Sequence, residues 1–294
     1  MKKNGKVVAI VGPTGSGKTA WARKLAHKFE GRVISVDSRQ IYKGLDIGTN
    51  KDKTFPQDLI DIVLPSKNFT LADYQKIAND TINEYLRLKT LPILAGGTGL
   101  YLNAVLYGYI IPELNKESLK LRKKLEKLSE IELFNELQKL DPISAKKIDP
   151  RNKRRLVRAL EYVMLAQKSF VETQQKQKPK FNSLIIGIKT DRETLYSKID
   201  ARVEQMIKNG LVEEVRRLIS KNRKDLPVFN TIGYREIIDY IEGRLTLKEA
   251  IAKIKNNTHD YVRRQDTWFR KNKDIKWVDD YSEAEKLVEK FLKK

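Results

Sequence analysis

The chain has 294 residues, 40 % hydrophobic and 33 % charged, which describes a globular protein large enough for one or two domains; no run approaches the roughly eighteen apolar residues of a membrane span, so no membrane partner is expected. It has no cysteine and only two histidines, His27 and His259, which excludes disulfides, thiolate metal sites and thiol catalysis and leaves little scope for an imidazole metal cluster. Its 59 Lys or Arg against 38 Asp or Glu leave a formal charge of +21, an excess that points to a polyanionic partner, nucleic acid before a membrane surface.

The opening MKKNGK runs straight into an apolar segment, leaving no room for a signal peptide, so a cytoplasmic location is expected. Residues 6–11 read as a buried parallel strand and 18–29 as a helix. Between them Gly12, four residues, then Gly17-Lys18-Thr19 has the spacing of ATP- and nucleotide-binding phosphate loops. The loop Gly12, Pro13, Thr14, Gly15, Ser16 and Gly17 wraps backbone N–H groups around an anion at a helix N-terminus. Lys18 adds a point charge, and the Thr19 hydroxyl is placed for a Mg²⁺ cofactor.

A strand at 32–36 ends in Asp37-Ser38-Arg39-Gln40, at the edge where ligands of open α/β sheets bind. A carboxylate there could hold Mg²⁺, act as general base toward an acceptor, or simply cap the following turn. A helix at 71–88, a strand at 92–96 and a helix at 99–108 follow. The strand at 92–96 ends in Gly96-Gly97-Thr98-Gly99, without the metal-holding acid that hydrolysing and kinase members of the phosphate-loop class place there. The phosphate cradle is complete, while the machinery for activating water is thin.

Pro112 breaks the alternation, and no strand candidate occurs from 115 to 180. Instead come helices at 116–128 and 130–140, a short turn opened by Asp141-Pro142, a helix at 153–167, and the polar linker ETQQKQKPKF. This segment carries eighteen Lys or Arg against nine Asp or Glu, a local excess of +9. Arg151, Lys153, Arg154, Arg155 and Arg158 crowd one helix N-terminus, as phosphate contacts require and as a solvated face also would. A strand at 184–188 returns, then helices at 191–209, 211–221, 231–242 and 247–271, a strand at 275–278 and a terminal helix. Arg263, Arg264, Gln265, Trp268 and Arg270 mix guanidinium with an aromatic, which suits splayed-out nucleotides, although Trp268 and Phe269 also fit a core.

The expected architecture is α/β: a P-loop NTPase-like parallel sheet core formed by 1–114 and 181–294, interrupted by an all-helical insertion at 115–180. On these residues alone a small-molecule kinase, a nucleotide-gated RNA-binding protein and a group transferase all stay open.

Seven stretches narrow that choice: GPTGSGKT, VDSRQIYKGLDIGT, GGTGLYL, DPISAKKI with RRLVRALE, RVEQM with GLVEEV, TIGYREIIDYIEG and RQDTWFR. Together, in order over about 260 residues, they resemble the bacterial tRNA dimethylallyltransferases. The resemblance implies transfer of a dimethylallyl group from dimethylallyl diphosphate to the N6 amine of the adenosine 3′-adjacent to the anticodon, adenosine 37, with diphosphate discarded. It implies Asp37 as general base, with Thr98 and Arg202 beside it, and residues 12–19 around the diphosphate. It implies contacts to the tRNA anticodon stem-loop from Asp37, Ser38, Arg39, Gln40, Thr98, Lys120, Arg154, Arg155, Leu156, Val157, Arg158, Arg263, Arg264 and Gln265, in a monomer. The sequence departs from the family's pattern at Gly15, usually Ala; at Gln57 and Asp58, usually His; and at Pro150-Arg151-Asn152, usually Pro-Asn-Asp. Enzymes that prenylate free adenine nucleotides share this core, and the basic insertion argues for RNA instead.

Overall fold

The computed structural model describes residues 5–109, 111, 116–173 and 179–294. Strand β1 (Lys6–Val11) is buried from Val7 to Val11, as expected of a strand covered on both faces. Helix α1 (Lys18–Lys28), strands β2 (Gly31–Ser35) and β3 (Gln57–Asp58), helix α2 (Leu71–Arg87), strand β4 (Leu91–Gly96) and helix α3 (Gly99–Leu106) follow. Next come α4 (Lys116–Leu125), α5 (Glu130–Leu140), α6 (Pro142–Ala145), α7 (Lys153–Ala166) and α8 (Phe170–Thr173), then β5 (Asn182–Ile188). Helices α9 (Arg192–Lys208), α10 (Leu211–Lys221), α11 (Tyr234–Ile241) and α12 (Leu247–Arg270), strand β6 (Ile275–Val278) and helix α13 (Tyr281–Lys293) complete the chain.

All six strands are parallel, in the order β3-β2-β4-β1-β5-β6. The turns after β2, β4 and β1 therefore lie side by side on one edge of the sheet, and they carry Asp37, Thr98 and the phosphate loop. One face of the sheet packs on Ala22 and Leu25 of α1 and Ala284 and Val288 of α13. A separate cluster joins α9, α10, α11 and α12 through Ile199, Val203, Val215, Ile237 and Ile254, and takes in Leu45 from the loop after β2. Several helix starts are written locally: Thr70 with Asp73, Ser129 with Glu132 and Thr246 with Glu249 form reciprocal capping boxes at α2, α5 and α12.

The chain divides into two compact units, residues 1–102 with 181–294 and residues 103–180. The expected boundary at 115 moves to Asn103, inside α3, where the covalently continuous helix passes from one unit to the next. Among its described residues the second unit is helical throughout, with Leu133, Leu137, Leu156, Ala159 and Leu160 at its centre. The expected linker at 172–181 lies partly outside the described residues, and α8 occupies its first two positions.

Candidate active site

The phosphate loop turns because Gly15 and Gly17 hold φ of 88° and 87°, where a side chain would be strained. Gly17 is the N-cap of α1, no side chain caps that terminus, and its first turn holds no acid. The helix therefore presents unneutralised N–H groups to the loop's concave side. Ser16 is buried, and its Oγ has no hydrogen-bond partner among the described residues. It points into the turn, 2.8 Å from where Gly12 would carry a Cβ.

Two cations face this loop. Lys18 Nζ donates to the Pro13 carbonyl at 2.7 Å, and Arg202, brought in by α9, donates through Nη1 to Thr14 Oγ1 at 3.3 Å. Neither forms an ion pair among the described residues. Burial pushes the Lys18 ammonium down to about 8; the Asp37 charge opposes that shift and Arg202 adds to it. Burial also lowers the Arg202 guanidinium. Such strain on two charged groups is relieved by an anion. A cavity of about 220 Å³ opens beside Arg202, with Asp46, Ile47, Lys51 and Met206 in its wall.

Asp37 does two things at once. Its Oδ1 accepts from the backbone N–H of Arg39 at 2.8 Å and of Gln40 at 3.4 Å, which caps the turn. Its Oδ2 has no hydrogen-bond partner among the described residues, so one oxygen holds the loop and the other is open to chemistry. Thr98 stands next to it: its Oγ1 accepts from the Ser38 N–H at 3.2 Å. Asp37 also lies within electrostatic reach of Tyr74, Tyr101 and Tyr261, and Tyr261 lies beside the Thr98 side chain. Burial pushes the Tyr101 and Tyr261 phenols each up to about 12, so both stay neutral at physiological pH.

The remaining expected residues fall into three groups. Ser38 and Arg39 are half-buried beside Asp37; Arg264 is exposed, with its guanidinium 5.8 Å from the Tyr261 ring. Arg263 is also exposed, and it pairs with Asp260 and donates to Tyr196 Oη at 3.3 Å. In the helical unit Lys120, Arg154, Arg155 and Arg158 are exposed, and Arg158 pairs with the buried Glu161 at 2.6 Å. Glu161 also takes a bidentate contact from Arg122. Four side chains have other work than the RNA contact expected of them. Leu156 and Val157, 0 % and 3 % exposed, are core residues of the helical unit, because their positions on α7 face inward. Gln40 braces its own loop, accepting from Ser35 Oγ and donating to the Thr49 carbonyl. Gln265 is buried, with both ends of its amide bonded to backbone.

Phe269 is core, whereas Trp268 is 40 % exposed and covers Gly99. The family departures are absorbed locally. Gln57 and Asp58 pair with β2, Gln57 Nε2 donates to the Asp52 carbonyl, and Asp58 accepts from Tyr85 Oη at 2.6 Å. Arg151 pairs with Asp149.

Three residues of consequence escape sequence reasoning. Tyr261 is one; its signal is its spacing, four residues before Gln265 and seven before Trp268 on the same helix face. Glu214 is another: it is buried and accepts from the N–H groups of Asp46, Ile47 and Gly48 and from Tyr234 Oη, pinning the GLDIGT loop. Lys51 anchors the same loop from below, with a fully buried side chain between Asp46 and Asp61. For a metal, no group of three or more His, Cys, Asp or Glu among the described residues is arranged to hold one. The Thr19 hydroxyl has no hydrogen-bond partner among them either, and a single hard oxygen beside a phosphate cradle fits Mg²⁺, which completes its shell with phosphate and water.

Fold and site together define an α/β enzyme of the phosphate-loop class, with a glycine-rich loop after β1 and a carboxylate on the turn after β2. The IPP transferase family model matches residues 40–272, and an isopentenyl transferase model matches residues 5–61. The tRNA dimethylallyltransferase of Anoxybacillus flavithermus is 42 % identical over 93 % of this chain and 90 % of its own length. That of Thermomicrobium roseum is 41 % identical over 100 % and 93 %. Among solved structures, the full-length tRNA isopentenylpyrophosphate transferase of Bacillus halodurans superposes with a TM-score of 0.72 at 37 % identity, covering 98 % of this chain and 95 % of that one. A eukaryotic dimethylallyltransferase described as acting on tRNA superposes at 0.80 with 28 % identity, over 94 % of this chain and 74 % of its own. The chain belongs to the IPP transferase family.

Proposed function

We propose that this chain transfers the dimethylallyl group of dimethylallyl diphosphate to the exocyclic N6 amine of adenosine 37 in tRNA, releasing diphosphate, as a cytoplasmic monomer. The observation that carries the reading is the pair of cations Lys18 and Arg202, which form no ion pair among the described residues and bond the phosphate loop beside Asp37. As the allylic carbon–oxygen bond breaks, negative charge gathers on the diphosphate. Lys18, Arg202 and the loop amides lie together where they would stabilise that charge. Thr19 would hold Mg²⁺, which when bound offsets further charge on the departing diphosphate.

The adenine amine is a poor nucleophile because its lone pair is delocalised into the ring. Asp37 Oδ2 accepts a hydrogen bond from it, orients it toward the allylic carbon and takes its proton after attack. Thr98, held by the Ser38 N–H, supplies a neighbouring polar contact to the base. The adenosine reaches this position only by leaving its stack. Arg39 and Arg264 suit the flanking nucleotides, and the exposed cations of the helical unit suit backbone phosphates. The test is to incubate the protein with tRNA, dimethylallyl diphosphate and Mg²⁺ and to analyse the nucleosides by mass spectrometry. A prenylated adenosine is expected; unmodified tRNA from active, folded protein contradicts the reading.

A further inference from the structure

One face of α12 follows the turn after β4 residue by residue. Tyr261 meets the side chain of Thr98, Gln265 meets the backbone of Gly97, and Trp268 covers Gly99. The fit is close: a Cβ at Gly97 would lie 2.3 Å from Gln265 Nε2, and one at Gly99 would lie 2.2 Å from the Trp268 indole. Gln265 is the centre of this face and is 5 % exposed. Its Nε2 donates to the Gly97 carbonyl at 2.8 Å, while its Oε1 accepts from the Thr14 N–H, also at 2.8 Å. One amide thus bonds the phosphate loop and the turn that carries Thr98.

A buried glutamine on the inward face of a helix is costly unless both ends are paired. Here both are, each to a different loop. Beyond Thr14 lies Arg202, bonded to the Thr14 hydroxyl. Beyond Gly97 lies Thr98, which holds the Ser38 N–H next to Asp37. The leaving-group side and the nucleophile side of the site therefore share one brace. In a reaction between two separately bound substrates, an error of about 1 Å in their spacing costs on the order of a hundredfold in rate.

We propose that Gln265 is a positioning residue, fixing the distance between the diphosphate cradle and the Thr98–Asp37 side without touching either substrate. The inference rests on the reading of these two sides as the halves of one transfer site. Its test is steady-state prenylation by Gln265→Met and Gln265→Glu, with fold checked by circular dichroism and Lys18→Ala run alongside. Gln265→Met removes both bonds at equal length. It should lower kcat about a hundredfold while KM for dimethylallyl diphosphate and for tRNA each stay within about threefold. Gln265→Glu keeps the acceptor for Thr14 and sets an acceptor against the Gly97 carbonyl. It should also lose kcat rather than raise KM, and it decides the matter if the Met variant does not fold. A kcat within about threefold of wild type, or a loss confined to KM, overturns the role. If Lys18→Ala loses turnover while the Gln265 variants keep it, the brace is wrong and the site stands. If Lys18→Ala turns over normally, the underlying reading of the site fails instead.

Discussion

Lys18 is a partly buried cation, and that has a consequence for pH. In the free protein its ammonium titrates at about 8, lowered first by burial. A bound diphosphate restores the charged form, so the pKa rises in the complex and binding takes up a proton above about pH 8. Relative to a Lys18→Met variant, a comparison that cancels the diphosphate's own ionisations, affinity for diphosphate should fall by up to roughly tenfold per pH unit above that value, since only the protonated lysine binds well. Calorimetric titration of both proteins with inorganic diphosphate across this range checks the sign; a wild-type advantage that is flat or rises with pH contradicts it. Asp37 makes a different prediction. Because Oδ1 caps the turn and Oδ2 is open, Asp37→Asn keeps an oxygen for the turn while removing the base. Turnover should drop by about two orders of magnitude or more, with tRNA affinity changed far less. Near-normal turnover in that variant removes Asp37 from proton transfer.

At the scale of elements, loops are held by buried acids, and helix α7 is charged against its own dipole. Glu214 of α10 satisfies three backbone N–H groups and the Tyr234 hydroxyl. Glu214→Ala strands all four donors and should destabilise the protein by about 3 kcal/mol or more, read from urea unfolding; a loss below about 1 kcal/mol shows the loop has other support. Helix α7 opens with Lys153, Arg154 and Arg155 and has no acid in its first turn, which the helix dipole opposes. That cost makes sense if phosphates neutralise the turn. Replacing Arg154, Arg155 and Arg158 by Gln should flatten the slope of log affinity for tRNA against log salt by roughly two units. Superimposable slopes take this helix out of the RNA interface.

The same scale shows what could be read in advance. The buried run of β1 and the amphipathic period of α5 and α10 announce their bounds, because side-chain burial repeats at the period of the backbone. Strand β3 has two residues and exists only through its pairing with Val33 and Ile34, so no local pattern marks it. Helix α11 starts at Tyr234 rather than 231, since Gly233 sits at φ 95° and a short 3₁₀ turn occupies 227–230. The phosphate loop and Asp37 were legible because their chemistry is contiguous in sequence. Gln265 was not, because a motif names a residue without saying which way its side chain faces. For Leu156 and Val157 the helical period already held the answer: with Leu160 they form an apolar stripe.

At the scale of the whole molecule, the proposed function puts two substrates on one sheet edge and gives them different kinds of recognition. The order β2-β4-β1 brings the carboxylate, Thr98 and the phosphate loop side by side, although Asp37 and Thr98 lie 61 positions apart in the chain. The charge of +21, of which +9 falls in residues 115–180, favours association with a large polyanion over a mononucleotide. The central claim is that the phosphates bound at β1 are discarded while a tRNA adenosine keeps the prenyl group. The most direct measurement follows diphosphate release and prenyl incorporation in one reaction, with tRNA or adenosine monophosphate as acceptor. The account predicts one diphosphate released per prenylated adenosine in tRNA and negligible product on the mononucleotide. Equal or greater turnover of the mononucleotide, or diphosphate release with no prenyl group on the tRNA, would contradict it.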